Sequence, residues 1–152
     1  MTTGLLRRTF IWAASLLLLT GSGGSLALAA EPLYTTSLSI QVVGLKSNQG
    51  QVRIAVFNSA ESWLDEPVYA TILDVDDGAL EWQIVDVPHG DYGIAAFHDE
   101  NQNGRNDRNF LGIPKESYAF SNNTRARFGP PKWKKASFSV SGESQVVVIE
   151  IR

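Results

Sequence analysis

The 152-residue chain has no cysteine, one methionine and only two histidines. Each shortage closes off a class of function. Without cysteine there is no disulfide framework, no thiol nucleophile and no site for a lipid anchor. Two histidines fall short of the three or four ligands that a zinc site normally needs. No G-x-S-x-G elbow is present to carry a serine nucleophile, so the chain is expected not to be an enzyme. Basic residues are scattered through a chain of net charge −3, which makes nucleic acid a poor partner. Long apolar runs are also missing beyond the first thirty residues, so no membrane span is expected once that segment is removed.

Those thirty residues read as a cleaved export signal. Arg7 and Arg8 form a basic start, Phe10 to Thr20 an apolar run, and Ala27-Leu28-Ala29 a small-residue cleavage site before Ala30-Glu31. Arg7-Arg8-Thr9-Phe10-Ile11 also resembles a twin-arginine signal. Cleavage leaves residues 31–152 as one domain in the periplasm or outside the cell. Loss of the two arginines takes the net charge from −3 to −5. A chain of this size, acidic and without disulfides, rests on its own core and is expected to be a monomer.

The remaining sequence alternates apolar and polar residues in short runs separated by turn residues. Leu38–Val42 and Val52–Phe57 flank Ser47-Asn48-Gln49-Gly50 and predict a hairpin. Val68–Leu73 ends at Asp76-Asp77-Gly78. Leu80–Val87 sets Leu80, Trp82 and Ile84 on one face, and Pro88-His89-Gly90-Asp91 turns into Tyr92–Phe97. Ala136–Val140 and Val146–Ile151 complete about seven strands, with a short helix expected near Ser62–Glu66. The pattern predicts an all-β fold, a single antiparallel two-sheet β-sandwich of immunoglobulin-like or transthyretin-like type. Trp63 and Trp82 are the expected core tryptophans.

One segment breaks the regular spacing. From His98 to about Lys134 there is no clear strand pattern, yet Phe110, Leu111, Ile113, Tyr118, Phe120, Phe128 and Trp133 make it too apolar for disorder. It is expected to be an ordered crossover carrying the site. At its head, Asp99, Asn101, Asn103 and Asp107 follow a D-x-N-x-N-G-x-x-D spacing, the first nine positions of an EF-hand-type calcium loop. Gly104 stands at the sharp sixth position, and Arg105 would offer its carbonyl. Phe110 occupies the twelfth position, where an EF-hand has glutamate, so Glu116 is the candidate returning carboxylate. Ca²⁺ is the expected cofactor, with a polar Asx-type turn as the alternative.

Further along, Val87 to Gly104, then Gly112-Ile113-Pro114-Lys115-Glu116, Phe120-Ser121-Asn122-Asn123 and Gly129-Pro130-Pro131 resemble the DUF2141 family of exported bacterial proteins. The resemblance spans roughly Leu38 to Ile151, departs from the pattern at Ala119, and implies no established activity. The Pro88-x-Gly90-x-Tyr92 turn is similar to that of transthyretin-like domains, which again implies a sandwich.

Other candidates have two readings each. His98 beside Asp99 invites a general-base role but is expected to be packed at a strand end. Asn122 opens an N-x-T sequon, and the segment is read as a turn stapled by its side chains. Phe120 with Phe110, Tyr118, Phe128 and Trp133 could form a ligand platform, or could pin the crossover to the sandwich. Arg125, Arg127, Lys132, Lys134 and Lys135 form a basic cluster read as a solvated face. The expected function is an exported binding or structural module whose calcium-type loop orders a partner-facing crossover. Its partner would be a protein or a carbohydrate; the alternatives are a carbohydrate- or peptide-binding module using the aromatics and a small His/Asp enzyme.

Overall fold

Alternation of buried and exposed residues along the strands builds the architecture. In a computed structural model of the chain, the described residues are 34–75, 80–112, 114–125 and 129–152. The export signal, the Asp76-Asp77-Gly78 turn, Ile113, Arg127 and Phe128 lie outside them. The strands are β1 (Thr35–Val43), β2 (Gln51–Phe57), β3 (Tyr69–Asp74), β4 (Leu80–Pro88), β5 (Gly90–Asp99), β6 (Tyr118–Phe120), β7 (Phe138–Val140) and β8 (Ser144–Glu150), with one short helix, α1 (Trp133–Ala136). They form a three-stranded sheet in the order β4-β1-β8 and a five-stranded sheet in which β3-β2-β5-β6 run in order and β7 pairs with β5. The fold is an all-β two-sheet sandwich.

The core between the sheets comes from the inward residues of each strand. Leu38 and Ile40 of β1, Val52, Ile54 and Val56 of β2, Ile94 of β5 and Ile149 of β8 are essentially inaccessible. In β4, Leu80 and Ile84 face inward, and one extra residue then shifts the register against β1 so that Val87 is the next to do so. Asp86, at φ 56°, makes that bulge.

Three expectations need correction. β1 and β2 do not form a hairpin; they lie in different sheets, and the connection between them crosses the sandwich. Gly50 ends that crossing at φ 84°, and a Cβ there would run into the Asp99 carbonyl. The sandwich is mostly antiparallel, as expected, with one parallel pairing of β8 with β1 from Ser37↔Ser144 to Val43↔Glu150. Alternation sets which face of a strand is buried and leaves its neighbours open, so neither pairing is written in the local pattern. Residues 62–66 make a turn closed by Asp65 and Glu66 N–H bonds to the Ser62 carbonyl, and the helix falls instead at Trp133–Ala136. Trp63 is half-buried outside the core, over Gly93 on the outer face of the larger sheet.

The long crossover is ordered where it returns to the sheet. β6 pairs with the later half of β5 and β7 with its start. Between them Ser121 replaces the missing strand residue: its Oγ accepts from the Ile94 N–H at 2.8 Å and donates to the Ala136 carbonyl at 2.5 Å. Asn122, at φ 57°, donates through Nδ2 to the Lys135 and Ser137 carbonyls at 3.1 and 2.9 Å. Asn123 accepts from the Glu150 N–H at 3.0 Å. The Asn122 segment is therefore a side-chain staple. Ser121→Ala is expected to leave a buried N–H and a buried carbonyl unpaired and to cost about 1–3 kcal/mol. Urea unfolding midpoints for the two proteins measure this, and equal midpoints would refute it.

Candidate functional site

Strand β5 delivers the head of the loop at a fixed place. Its alternation turns Ile94, Ala96 and His98 inward and Ala95, Phe97 and Asp99 toward the outer face. Arg53 of β2 projects on that same face, with its backbone opposite Phe97. Arg53 Nε donates to Asp99 Oδ2 at 2.7 Å, and the Asp99 side chain is 0% exposed against 28% for Arg53.

Asp99 then gathers the loop. Its Oδ2 also accepts from the Gly104 N–H at 2.8 Å, and its Oδ1 from the Asn103 N–H at 3.0 Å. Gly104 sits at φ 79°, which suits glycine at the sharp position. Burial pushes the Asp99 carboxyl pKa up and is the largest single influence. The Arg53 hydrogen bond and those from Gly104 and Asn103 together outweigh it, holding the carboxyl below the ordinary aspartate value.

Farther round, Asn101 and Asn103 converge on Asp107. Their Nδ2 groups donate to its two carboxylate oxygens at 2.9 and 3.1 Å. Their Oδ1 atoms accept from the Asn103 and Arg105 N–H groups at 3.1 and 2.8 Å. Arg105 thus enters through its N–H. Glu116 lies beside the loop: its Oε2 accepts from the Asp107 N–H at 3.0 Å, while Oε1 is buried without a partner among the described residues. The Lys115 N–H donates to the Asp107 carbonyl at 2.7 Å and closes the clasp. Among the described residues no group of three or more His, Asp or Glu side chains is arranged to hold a metal ion.

His98 is buried at the strand end, its Nε2 2.7 Å from the Gln49 carbonyl and its Nδ1 without a hydrogen bond among the described residues. It does not line the cleft on the outer face of the larger sheet.

The crossover stands over the outer face of the larger sheet and leaves a cleft of about 1020 Å³. Strand register sets its floor in rows. One row is Ala70, Ala55, Ala95 and Phe120, and its neighbour is Ile72, Arg53, Phe97 and Tyr118. The alanine row is a trough between larger side chains. Asn106, Arg108, Leu111 and Pro114 of the crossover wall it at the loop end, and Phe57 and Pro130 border it too.

An aromatic cluster holds the crossover's return. Trp63 meets Phe57 at 5.1 Å, Trp133 at 5.6 Å and Phe120 at 6.1 Å between ring centroids, and its Nε1 donates to the Pro131 carbonyl at 2.8 Å. Phe120 and Trp133 thus pin the chain, while Tyr118 and Phe120 also line the cleft. Phe110 is 95% exposed and joins no aromatic pair among the described residues.

Sequence reasoning passed over Arg53 and the alanine trough. A signal was present: Arg53-Ile54-Ala55-Val56-Phe57 and Ile94-Ala95-Ala96-Phe97 are largely apolar on both faces, as in strands covered on both sides.

The depressed Asp99 pKa fixes a pH dependence. As pH falls, the unfolded chain takes up the proton first, so the Asp99 contribution is complete above about pH 4. It shrinks below that value and is lost as pH drops through the folded pKa. Asp99→Asn is expected to be less stable than the parent at pH 7, with the gap narrowing below about pH 4. Unfolding midpoints from neutral to acid pH test this; a constant gap would overturn it.

No described helix is long and apolar enough to cross a membrane. A family model described as an uncharacterized protein conserved in bacteria (DUF2141) matches residues 40–148. No curated protein and no solved structure shows detectable similarity to the chain.

Proposed function

The chain belongs to the DUF2141 family, and on its geometry we propose that it is a binding module in which the Asp99–Asp107 loop fixes a crossover that walls a ligand cleft. One observation carries this reading. Ala70, Ala55 and Ala95 lie side by side on a sheet face that the described residues roof at its edges and do not fill. Around them Leu64, Ile72 and Leu111 remain exposed. Apolar surface gathered in a concave site is characteristic of small-molecule binding, and about 1000 Å³ admits a ligand of that size. The position of His98, buried and away from the cleft, favours binding over catalysis. Export through the N-terminal segment would set the module in the periplasm or outside the cell.

The neutral fluorophore N-phenyl-1-naphthylamine tests the cleft without reference to charge. Its emission is expected to rise and shift to the blue with the parent protein. Ala55→Leu, which puts a larger side chain in the trough, is expected to weaken binding at least several-fold. Equal enhancement by both proteins would place the dye elsewhere and sink the reading.

Calcium as the loop's cation is a second reading, favoured by the unpartnered, buried Glu116 Oε1 next to the Asn101, Asn103 and Asp107 cluster. It requires the two asparagine amides to turn over, so that oxygens rather than NH₂ groups face Asp107. Asp99, Asn101, Asn103, Asp107, the Arg105 carbonyl and Glu116 would then supply the oxygens that Ca²⁺ takes. On this reading, calcium added after chelator treatment raises the melting temperature of the parent protein and leaves that of Asp107→Ala unchanged. Without a shift in the parent at millimolar calcium, the loop is held by its own hydrogen bonds and Arg53.

A further inference from the structure

Resting on the cleft reading above, we infer that the occupant is an amphiphile of the fatty-acid class, an elongated apolar body ending in one carboxylate. The cleft is chemically lopsided. Its floor is alanine and aromatic carbon, whereas Arg53, Asn106 and Arg108 gather at the loop end. No aspartate or glutamate lines it among the described residues, although the chain as a whole is acidic.

Both arginines have donors to spare. Among the described residues the only hydrogen-bond partner of the Arg53 side chain is Asp99, which takes Nε–H and leaves both terminal amino groups unused. Asp99 offsets one positive charge at that end, and the exposed Arg108 supplies a second cation with no ion pair among the described residues. Asn106 adds a buried side-chain oxygen without a partner among the described residues; with its amide turned over, an N–H donor would occupy that place. A carboxylate bound between two guanidinium groups makes short, charge-assisted hydrogen bonds.

The same surface argues against a peptide or a sugar. An extended peptide needs free main-chain donors and acceptors, and the middle floor strands β2 and β5 spend theirs on neighbouring strands at both edges, so among the described residues only the outer edge of β3, to the side of the trough, has any left over. A sugar needs many polar partners, which the alanine trough lacks. An alkyl chain needs only the trough.

Calorimetric titration of the full-length protein with dodecanoate and dodecyltrimethylammonium below their micelle concentrations, and with dodecanol below its solubility limit, tests the inference. Dodecanoate is expected to bind roughly ten-fold or more tightly than the alcohol. Arg108→Gln is expected to narrow that margin, with circular dichroism confirming that it stays folded. Ala55→Leu is expected to weaken both ligands together. Equal affinities for acid and alcohol, or tighter binding of the ammonium compound, would overturn the carboxylate inference while leaving the cleft intact. If none of the three binds, or if Ala55→Leu changes nothing, the cleft reading itself falls.

Discussion

A buried aspartate needs a positive partner, and the rest of this site is arranged around that need. Asp99 ends a core strand with its carboxylate out of water, a position that would be untenable without Arg53 at 2.7 Å. Meeting it costs β2 an outward position otherwise suited to an apolar residue. In return the pair ties the two central strands of the larger sheet to the first residues of the crossover. The Gly104 and Asn103 N–H groups close on the same carboxylate, so strand, loop and guanidinium share one junction. Arg53 of that junction lines the cleft at one end, and Phe120 of the aromatic cluster lines it near the crossover's return.

What could be read from the sequence divides along the range of the interactions. Leu38, Ile40 and Val42, or Val52, Ile54 and Val56, announce their burial by period-two alternation, because the pleat enforces it locally. The loop's character was legible for the same reason, since Asn101, Asn103 and Asp107 meet within seven residues. Glu116 reaches the Asp107 N–H across nine residues, so that contact too is local. Arg53 was missed because it lies 46 residues from its partner, and no local pattern connects the two. Strand order was misjudged likewise: alternation says that β1 has a buried face and leaves β4 and β8 unspecified as its neighbours.

Neutralisation of the loop illustrates how one spacing serves two chemistries. In calcium loops the carboxylates are balanced by the ion. Here Asp99 is balanced by a guanidinium from another strand, whereas Asp107 keeps its charge and is hydrogen-bonded by the NH₂ groups of two asparagines. The same residues could hold an ion only by reversing those amides, so the orientation of Asn101 and Asn103 is the structural variable that separates the alternatives.

The parallel pairing of β1 with β8 also bears on how the molecule forms. β1 is the middle strand of its sheet, yet one neighbour begins at Leu80 and the other at Ser144. Neither edge of β1 can be satisfied while only its near surroundings have been synthesised, and its apolar face waits with it. Contacts of such sequence separation slow folding, because loop closure is opposed by entropy before any pairing is gained. The three-stranded sheet therefore assembles late, after most of the chain is present. A polypeptide with this topology stays open longer than one built from successive hairpins.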